Sequence, residues 1–291
     1  WGTRLSLSAR FQQPLFFGRS GDWRKWAGQL YAQATQVDLA QLRNYVDLGV
    51  DLRQGAGSAR AWVDIDQAQV TGATADLALQ AVTVKVADNL DALELERVTG
   101  RLGGKVLKGG YALSAEALAF DTRDGLHWPG GNMELSLFDA QPSQAAHGAL
   151  SADRLNLAAL SEIASRLPLD ASLRDTLQRL APKGQVDTLK LDWQGDVTQP
   201  ERFSAKGRVA QLELSAQPRS GLLGIPGVRG ADVTFDLTHT GGKASVALKD
   251  GDATFPGVFD NPVVPLDSSK ALRVVPSGRT AFQACLVVMR A

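Results

Sequence analysis

A period-two alternation of apolar and polar residues recurs along most of this chain and constrains its fold more than any other feature. In residues 5–11 apolar side chains alternate with serine and arginine, and the same spacing returns at residues 61–66, 133–137, 189–193 and 233–237. Successive side chains of a strand point to opposite faces, so each segment predicts a half-buried strand with one apolar and one wet face. This arrangement is typical of antiparallel sheets.

Glycine-rich segments separate these strands. The glycine pairs at 103–104, 109–110 and 241–242, and the Pro-Gly-Gly sequence at 129–131, are predicted turns. About a dozen short strands at close spacing indicate an all-β protein. We predict a mainly β fold, a curved antiparallel sheet or groove of repeated amphipathic strands with short helical insertions. A sandwich and a barrel also fit the pattern.

One segment changes the phase of its alternation. Leu77 and Leu79 are followed by Val82, Val84 and Val86, so the apolar positions move from odd to even numbers. A strand keeps one apolar face through such a change only where an extra residue is inserted. The sequence therefore predicts a bulge or a short turn near residues 80–81.

Two segments have helical rather than alternating periodicity. Residues 38–48 place Leu39, Leu42, Tyr45 and Val46 on one helical face, after Asp38 as a candidate N-cap. Residues 156–181 predict two short helices that are separated at Pro168 and capped by Asn156 and Asp170.

These helical segments reveal an internal repeat. Residues 37–42 (VDLAQL) match residues 155–160 (LNLAAL), an offset of 157 − 39 = 118 positions. Upstream of these segments, residues 28–30 (GQL) match residues 148–150 (GAL). The predicted repeat units are residues 28–147 and 148–260, approximately. Alternation fades in residues 268–291, which are either an ordinary C-terminal strand and tail or an atypical, frameshifted or disordered tail.

The composition excludes several classes of protein. Lysine and arginine total 31 against 31 acidic residues, so there is no basic excess to neutralise nucleic-acid phosphates. Cys285 is the single cysteine, so no disulfide forms within the chain. No apolar run approaches the ~18 residues that span a bilayer. The chain starts at Trp1 without a signal peptide, and we interpret it as part of a longer protein.

The motifs give no catalytic, metal or cofactor site. His127, His147 and His239 have no second ligand at the spacing of a metal site. Residues 103–110 (GGKVLKGG) lack the ending of a phosphate-binding loop and are better interpreted as a β-hairpin. The acidic pairs 64/66 and 121/124 are interpreted as wet-face or turn residues.

Several segments together resemble the YhdP-type envelope proteins of Gram-negative bacteria, with their AsmA-like and DUF3971 regions. The similarity covers approximately residues 1–267, and the order of these segments carries it because each alone is a weak turn-and-strand pattern. They are Trp26–Tyr31, Val37–Leu42, Thr71–Leu79, Asp124–Pro129, Ile163–Leu169, Leu191–Gly195 with Pro200 and Phe203, Ile225–Val228 and Phe255–Phe259.

The resemblance implies a place and a role. Proteins of this family are long repeating β-grooves, anchored in the inner membrane, that cross the periplasm and move phospholipid toward the outer membrane. It implies no catalytic residue and no cofactor. The expected partners are phospholipid and, through other parts of the full-length protein, components of the inner and outer membranes. The family's membrane anchor is missing from this sequence, so we expect an internal fragment.

The residues and the resemblance together predict a lipid groove. If the apolar sides of the strands line the inside of a curved sheet, acyl chains can lie along it while head groups stay in water. Two alternatives remain: a structural β-repeat protein with a closed core, and an envelope hydrolase. The predicted groove-lining residues are Leu77, Leu79, Leu93, Leu95, Leu135, Leu137, Leu189, Leu191, Val209, Leu212, Leu214, Phe235, Leu237, Val246 and Leu248.

Overall fold

The structure, a computed structural model, confirms the predicted fold class. Strands make up 73% of it, they pair antiparallel, and the helices are few and short. The chain divides into two compact units, Trp1–Asp139 with Ser165–Pro168, and Ala140–Ala164 with Leu169–Ala291. The described residues are 5–12, 23–42, 51–87, 89–167, 169, 171–196, 199–219, 222–256, 263–266 and 269–272.

Unit 1 is an antiparallel sheet with strands paired in chain order from β1 to β6, and both β7 and β8 pair with β6. A 3-10 turn (Trp23–Lys25) precedes the second strand, and a short helix, α1 (Leu39–Leu42), follows that strand directly. The strands are β1 (Leu5–Gln12), β2 (Ala27–Asp38), β3 (Asp51–Asp66), β4 (Gln69–Lys85), β5 (Leu93–Leu107), β6 (Gly110–Thr122), β7 (His127–Trp128) and β8 (Asn132–Phe138).

Unit 2 also consists of long antiparallel strands, in the order β9-β10-β11-β14-β15, with β16 and β17 both paired to β15 and a separate ribbon of β12 and β13. Its helices are α2 (Leu157–Ile163), which continues into a 3-10 turn (Ala164–Arg166), and α3 (Ala171–Leu180). The strands are β9 (His147–Asn156), β10 (Lys183–Asp196), β11 (Gln199–Leu214), β12 (Gln217–Arg219), β13 (Leu222–Ile225), β14 (Gly227–Thr238), β15 (Gly241–Thr254), β16 (Val263–Leu266) and β17 (Ser269–Leu272).

The strand register collects the apolar positions of each unit on one face. In unit 1, Val98 on β5 lies opposite both Leu79 on β4 and Phe120 on β6. On the other face of the same strands, Arg101 lies opposite Asp76. Residues directly opposite each other in a sheet point to the same side. Each unit therefore has an apolar face and a polar face.

Bulges keep the apolar phase aligned between neighbouring strands. In β4 both Gln80 and Ala81 are exposed, and β5 has two consecutive exposed residues at positions 96–97. The phase therefore changes in both strands at the same level, and Val82 still lies opposite Leu95 beyond the change. The bulge predicted near residues 80–81 is confirmed, with Ala81 at a φ of 51°.

The two units support their bulges in the same way. Ala117 in β6 has a φ of 48°, and its backbone N–H donates to Asn132 Oδ1 on β8 at 2.9 Å. Gln211 in β11 has a φ of 51°, and its N–H donates to Asp232 Oδ1 on β14 at 2.9 Å. A bulge removes one N–H from the strand ladder, so a side chain of the next strand supplies the missing acceptor.

The helix caps follow the sequence prediction where they are described. The Asp38 carboxylate accepts a hydrogen bond from the N–H of Ala40 at 3.0 Å, and Asn156 Oδ1 accepts one from Ala159 at 3.0 Å. Pro168, Asp170 and residues 43–48 lie outside the described residues. The predicted repeat of residues 28–147 and 148–260 stays a prediction.

The turns were predicted less well. The hairpin of residues 103–110 is confirmed, but its turn is formed by Lys108 and Gly109 alone. Gly103 and Gly104 lie inside β5, so the turn predicted there is wrong. In the tail predicted to begin at residue 268, Ser269–Leu272 pairs with β15, and residues 273–291 lie outside the described part of the chain.

We expect Asn132→Ala to lower the free energy of unfolding by about 1 kcal/mol, because the N–H of Ala117 loses its acceptor. Glu134→Ala is the matched control on the same strand, and an exposed position of this kind should change stability by less than about 0.5 kcal/mol. Urea unfolding followed by tryptophan fluorescence measures both. Equal effects of the two substitutions would show that the hydrogen bond from Ala117 to Asn132 does not stabilise the bulge.

Candidate functional site

The apolar face of unit 1 is buried along one part of its strands, which we term the closed half. Its large side chains have only 4–8% of their surface exposed. They come from the ends of β4, β5 and β6 that lie away from the tight turns at residues 67–68 and 108–109. The closed half consists of Leu79, Val82, Leu93, Leu95, Val98 and Phe120.

Residues from outside the long strands contribute to the closed half. Leu39 of α1 is 5% exposed, and a Cβ atom at Gly55 would lie 2.6 Å from its Cδ1 and 3.0 Å from Val82 Cγ2. The absence of a side chain at Gly55 thus leaves room for Leu39 beside Val82. At the other side, the rings of Phe120 and Trp128 stack with centroids 5.6 Å apart.

The rest of the same face is exposed, and we term it the open half. Among the described residues, ten large apolar side chains are 38–72% exposed, and the strand register places all ten on the apolar face of unit 1. They are Leu5, Leu7, Phe11, Leu30, Val70, Leu102, Val106, Tyr111, Leu113 and Met133. Single exposed apolar residues are ordinary on a protein surface, but ten on one sheet face are not.

Small side chains form the centre of the open half. Ala61 on β3 lies opposite Ala32 on β2 and Ala75 on β4, and Ala73 lies opposite Gly104 on β5. Neighbouring strands are about 4.8 Å apart, so the row of three alanines extends roughly 10 Å from β2 to β4, and Leu102 on β5 ends it. The row runs across the strands, with the larger side chains of the open half around it.

The polar face of unit 1 carries a network of charges across neighbouring strands. The carboxylate of Asp76 on β4 forms salt bridges with guanidinium nitrogens of Arg60 at 3.0 Å and of Arg101 at 2.6 Å. The guanidinium carbons of the two arginines lie 6.0 and 5.8 Å from the centroid of the Trp62 ring. The hydrogen bond from Arg101 is the largest cause of a lowered pKa at Asp76. Partial desolvation opposes it, and the positive charges of both arginines add to it. This face is therefore suited to water.

The apolar face of unit 2 is more covered. None of the ten exposed side chains belongs to it, and Val186, Trp193 and Leu248 are 6–8% exposed. The indole of Trp193 on β10 lies over Gly148 on β9, where a Cβ atom would meet the ring at 2.3 Å. A side chain at position 148 would therefore displace the indole from this place.

The fifteen predicted groove-lining residues all lie on the apolar face of their own unit, six in unit 1 and nine in unit 2. Leu79, Leu93, Leu95 and Leu248 are buried, and the other eleven are half-buried. Contact of any of them with lipid stays a prediction.

Sequence reasoning missed the open half, because none of its ten large side chains was among the fifteen predicted groove-lining residues. Leu102, Val106, Tyr111 and Leu113 were not among the predicted residues, because the glycines at 103–104 were interpreted as a turn. The signal was present, since an apolar residue or glycine occupies every second position from 98 to 106. A strand that continued through the glycines would have predicted these residues.

The described residues hold no group of three or more His, Cys, Asp or Glu that could bind a metal ion. His127 Nδ1 lies 2.5 Å from Asp121 Oδ1 on the polar face, and His147 Nδ1 lies 3.3 Å from the carbonyl oxygen of Ala145. Among the helices of the described chain, none has the length and apolar character that crossing a membrane requires.

Comparison with known proteins matches the chain to a protein-family model. The family model described as YhdP protein matches residues 2–274, most of the chain. No curated protein and no solved structure is significantly similar to the chain.

We expect the two halves of the apolar face to respond differently to truncation. Leu95→Ala should lower the free energy of unfolding by about 2–5 kcal/mol, since it opens a cavity in the closed half. Leu113→Ala, on the next strand of the same face, should cost less than about 1 kcal/mol because its side chain is 48% exposed. Urea denaturation measures both. Similar losses would mean that the open half is part of the folded core.

The Asp76 network predicts a pH-dependent stability. Because the pKa of Asp76 is lowered in the folded state from its ordinary 3.8, its contribution is complete above that value and is lost as the pH falls through the folded-state pKa. Asp76→Asn should therefore destabilise the protein at pH 7, and its difference from the native protein should shrink below about pH 4. Unfolding curves between pH 7 and pH 3 test this; a constant difference would contradict it.

Proposed function

The chain belongs to the YhdP protein family, and from this premise we propose that it is a non-catalytic segment of a lipid-transfer protein. Membership is consistent with a role in the cell envelope. In the proposal, phospholipid acyl chains lie on the apolar face while the full-length protein, anchored to the inner membrane, spans the periplasm toward the outer membrane. The ten exposed apolar side chains that share one face of unit 1 carry this proposal.

An apolar surface of this kind is unfavourable in water and favourable for hydrocarbon. Each methylene group that leaves water gains about 0.8 kcal/mol, so a chain that buries ten of them would gain roughly 8 kcal/mol before the cost of ordering it. Soluble proteins seldom expose a contiguous apolar patch unless something binds there. An acyl chain is an apolar ligand whose flexible length suits a low region that crosses several strands.

The chemistry of the open half favours movement over tight capture. Among its ten large side chains only Tyr111 carries a hydroxyl, and none is charged. Its centre consists of alanine and glycine, which offer contact without a deep pocket. Specific small-molecule sites combine an enclosed pocket with a few oriented polar groups. A shallow apolar surface without such groups holds hydrocarbon with little preference for one position along it.

A structural β-repeat with a closed core is the second candidate. The apolar face of unit 2 supports it, because none of its described large apolar side chains reaches the exposure of those in the open half. The two candidates differ in whether lipid accompanies the protein. Purification without detergent, followed by mass spectrometry of an organic extract, should find phospholipid under the first candidate and none under the second.

A pair of substitutions on β4 tests where the lipid lies. Ala75→Trp fills the low centre of the open half. It should reduce co-purified phospholipid by roughly tenfold, which is the change that 1.4 kcal/mol of lost affinity produces. Ala78→Trp, three residues along the strand, faces the polar side opposite Ser58 and Thr99 and should leave the lipid content unchanged. Circular dichroism of both variants controls for folding.

Either of two results would contradict the proposal. The native protein could carry no phospholipid, or the two tryptophan variants could retain equal amounts of it. The second result would mean that lipid binds elsewhere than on the apolar face of unit 1.

A further inference from the structure

Two aromatic side chains lie on the polar face of unit 1, which otherwise carries mainly charged and small polar residues. Tyr31 on β2 lies directly opposite Trp62 on β3, and the centroids of their rings are 5.3 Å apart. Both side chains are half-buried, and the Tyr31 hydroxyl donates a hydrogen bond to Gln33 Oε1 at 2.7 Å. Accessible aromatic rings among arginines are typical of surfaces that bind a ligand or a partner.

The positions that continue this row across the sheet carry small side chains. Thr74 on β4 lies opposite Trp62, and Gly103 on β5 and Ser114 on β6 follow. A Cβ atom at Gly103 would lie 2.4 Å from Ser114 Oγ, so the Ser114 hydroxyl lies over this glycine. Neighbouring strands are about 4.8 Å apart, so Thr74, Gly103 and Ser114 form the floor of a shallow surface roughly 10 Å long, which we term the polar trough. Its length is similar to that of two linked pyranose rings.

Charged side chains of both signs border the polar trough. Residues of one face are about 6.7 Å apart along a strand, so the charged rows on the two sides of Thr74 are roughly 13 Å apart. Because three of the bordering groups are cations and three are anions, the border has no net charge. They are Arg60, Asp76, Arg101 and Glu116 on one side, and Asp64 and Lys105 on the other.

The arginines beside Trp62 have hydrogen-bond donors to offer a ligand. Arg101 donates from Nε and Nη2 to Asp76 at 2.6 and 3.2 Å, which uses two of the five N–H donors of a guanidinium. Its guanidinium carbon lies 5.8 Å from the centroid of the Trp62 ring, and that of Arg60 lies at 6.0 Å. A stacked group would lie about 4 Å away. Neither guanidinium is therefore stacked on the indole, and their remaining donors can reach hydroxyl groups next to the ring.

We propose that the polar trough binds a carbohydrate chain, with one pyranose ring against Trp62 and the next on the floor of the trough. A pyranose with equatorial hydroxyl groups has C–H bonds on its flat faces and hydroxyl groups around its rim. The aromatic pair suits the C–H faces, and the hydroxyl and charged side chains of the trough suit the rim. Because the bordering charges balance, the ligand is a neutral sugar.

Other ligand classes fit the polar trough less well. A hydrocarbon chain would cover charged groups without replacing their hydrogen bonds to water. A phosphate or carboxylate would compete with Asp76, which already holds both arginines. The polar trough lies on the opposite face of the sheet from the open half, so this inference does not depend on the proposed function.

Isothermal titration calorimetry of the full chain with cellohexaose and with chitohexaose tests the proposal. At least one of them should bind saturably, and Trp62→Leu should weaken that binding by about tenfold or more, the change that 1.4 kcal/mol produces, because leucine has no flat ring. Trp62→Tyr keeps a ring and should retain most of the affinity. Tyr111→Leu is the control, since Tyr111 is an exposed ring on the opposite face of unit 1, and it should leave the affinity unchanged.

Ionic strength tests the charge of the ligand. A neutral sugar should bind equally well at about 0.05 M and about 0.5 M salt, since screening weakens only interactions between charges. Oligogalacturonate of similar length is the anionic comparison, and it should bind no more tightly than the neutral chains. Circular dichroism of each variant controls for folding.

Three results would overturn the inference. Neither neutral oligosaccharide could bind, or Trp62→Leu and Tyr111→Leu could lower the affinity equally. Tighter binding of the anionic chain that high salt abolishes would instead assign the polar trough to an acidic partner. Trp62→Leu should carry as much co-purified phospholipid as the native protein, so failure of this site leaves the proposed function intact.

Discussion

The structure depends on one constraint: the register of neighbouring strands must place their apolar side chains on the same face of the sheet. A slip of one residue in any strand would move its leucines and valines to the polar face. The chain maintains this agreement through changes of phase, because β4 and β5 place two consecutive residues outward at the same level. Val82 and Leu95 consequently remain opposite each other after the change, as Leu79 and Val98 are before it.

Keeping the faces aligned has a local cost that the sequence offsets with side chains. Ala117 and Gln211 both have a positive φ, which is disfavoured for residues other than glycine, and the N–H of each leaves the strand ladder. Asn132 and Asp232 supply acceptors at the same distance of 2.9 Å in the two units. A polar residue that points toward a bulge from the next strand therefore stabilises the apolar face indirectly.

Local patterns predicted the local features. The shift from Leu79 to Val82 predicted the bulge, and Asn156 before an apolar helical stripe predicted the cap of α2. The division of the apolar face into closed and open halves could not be predicted in this way, because it depends on residues that are distant in sequence. Whether Val82 is buried is decided partly by Leu39 in the space above Gly55, and the alternating pattern is the same on both sides of that boundary.

Under the proposed function, the closed and open halves use the same strands for opposite purposes. An apolar surface that binds hydrocarbon loosely cannot also supply the burial that folds the sheet, since the area exposed to a ligand is area withheld from the core. Unit 1 resolves this along the strand direction. The ends of β4, β5 and β6 that carry Leu79, Leu95 and Phe120 form the core, so the other ends can stay exposed. The position of a residue along its strand, as well as the face it occupies, therefore determines whether its side chain is buried in the core or exposed on the open half.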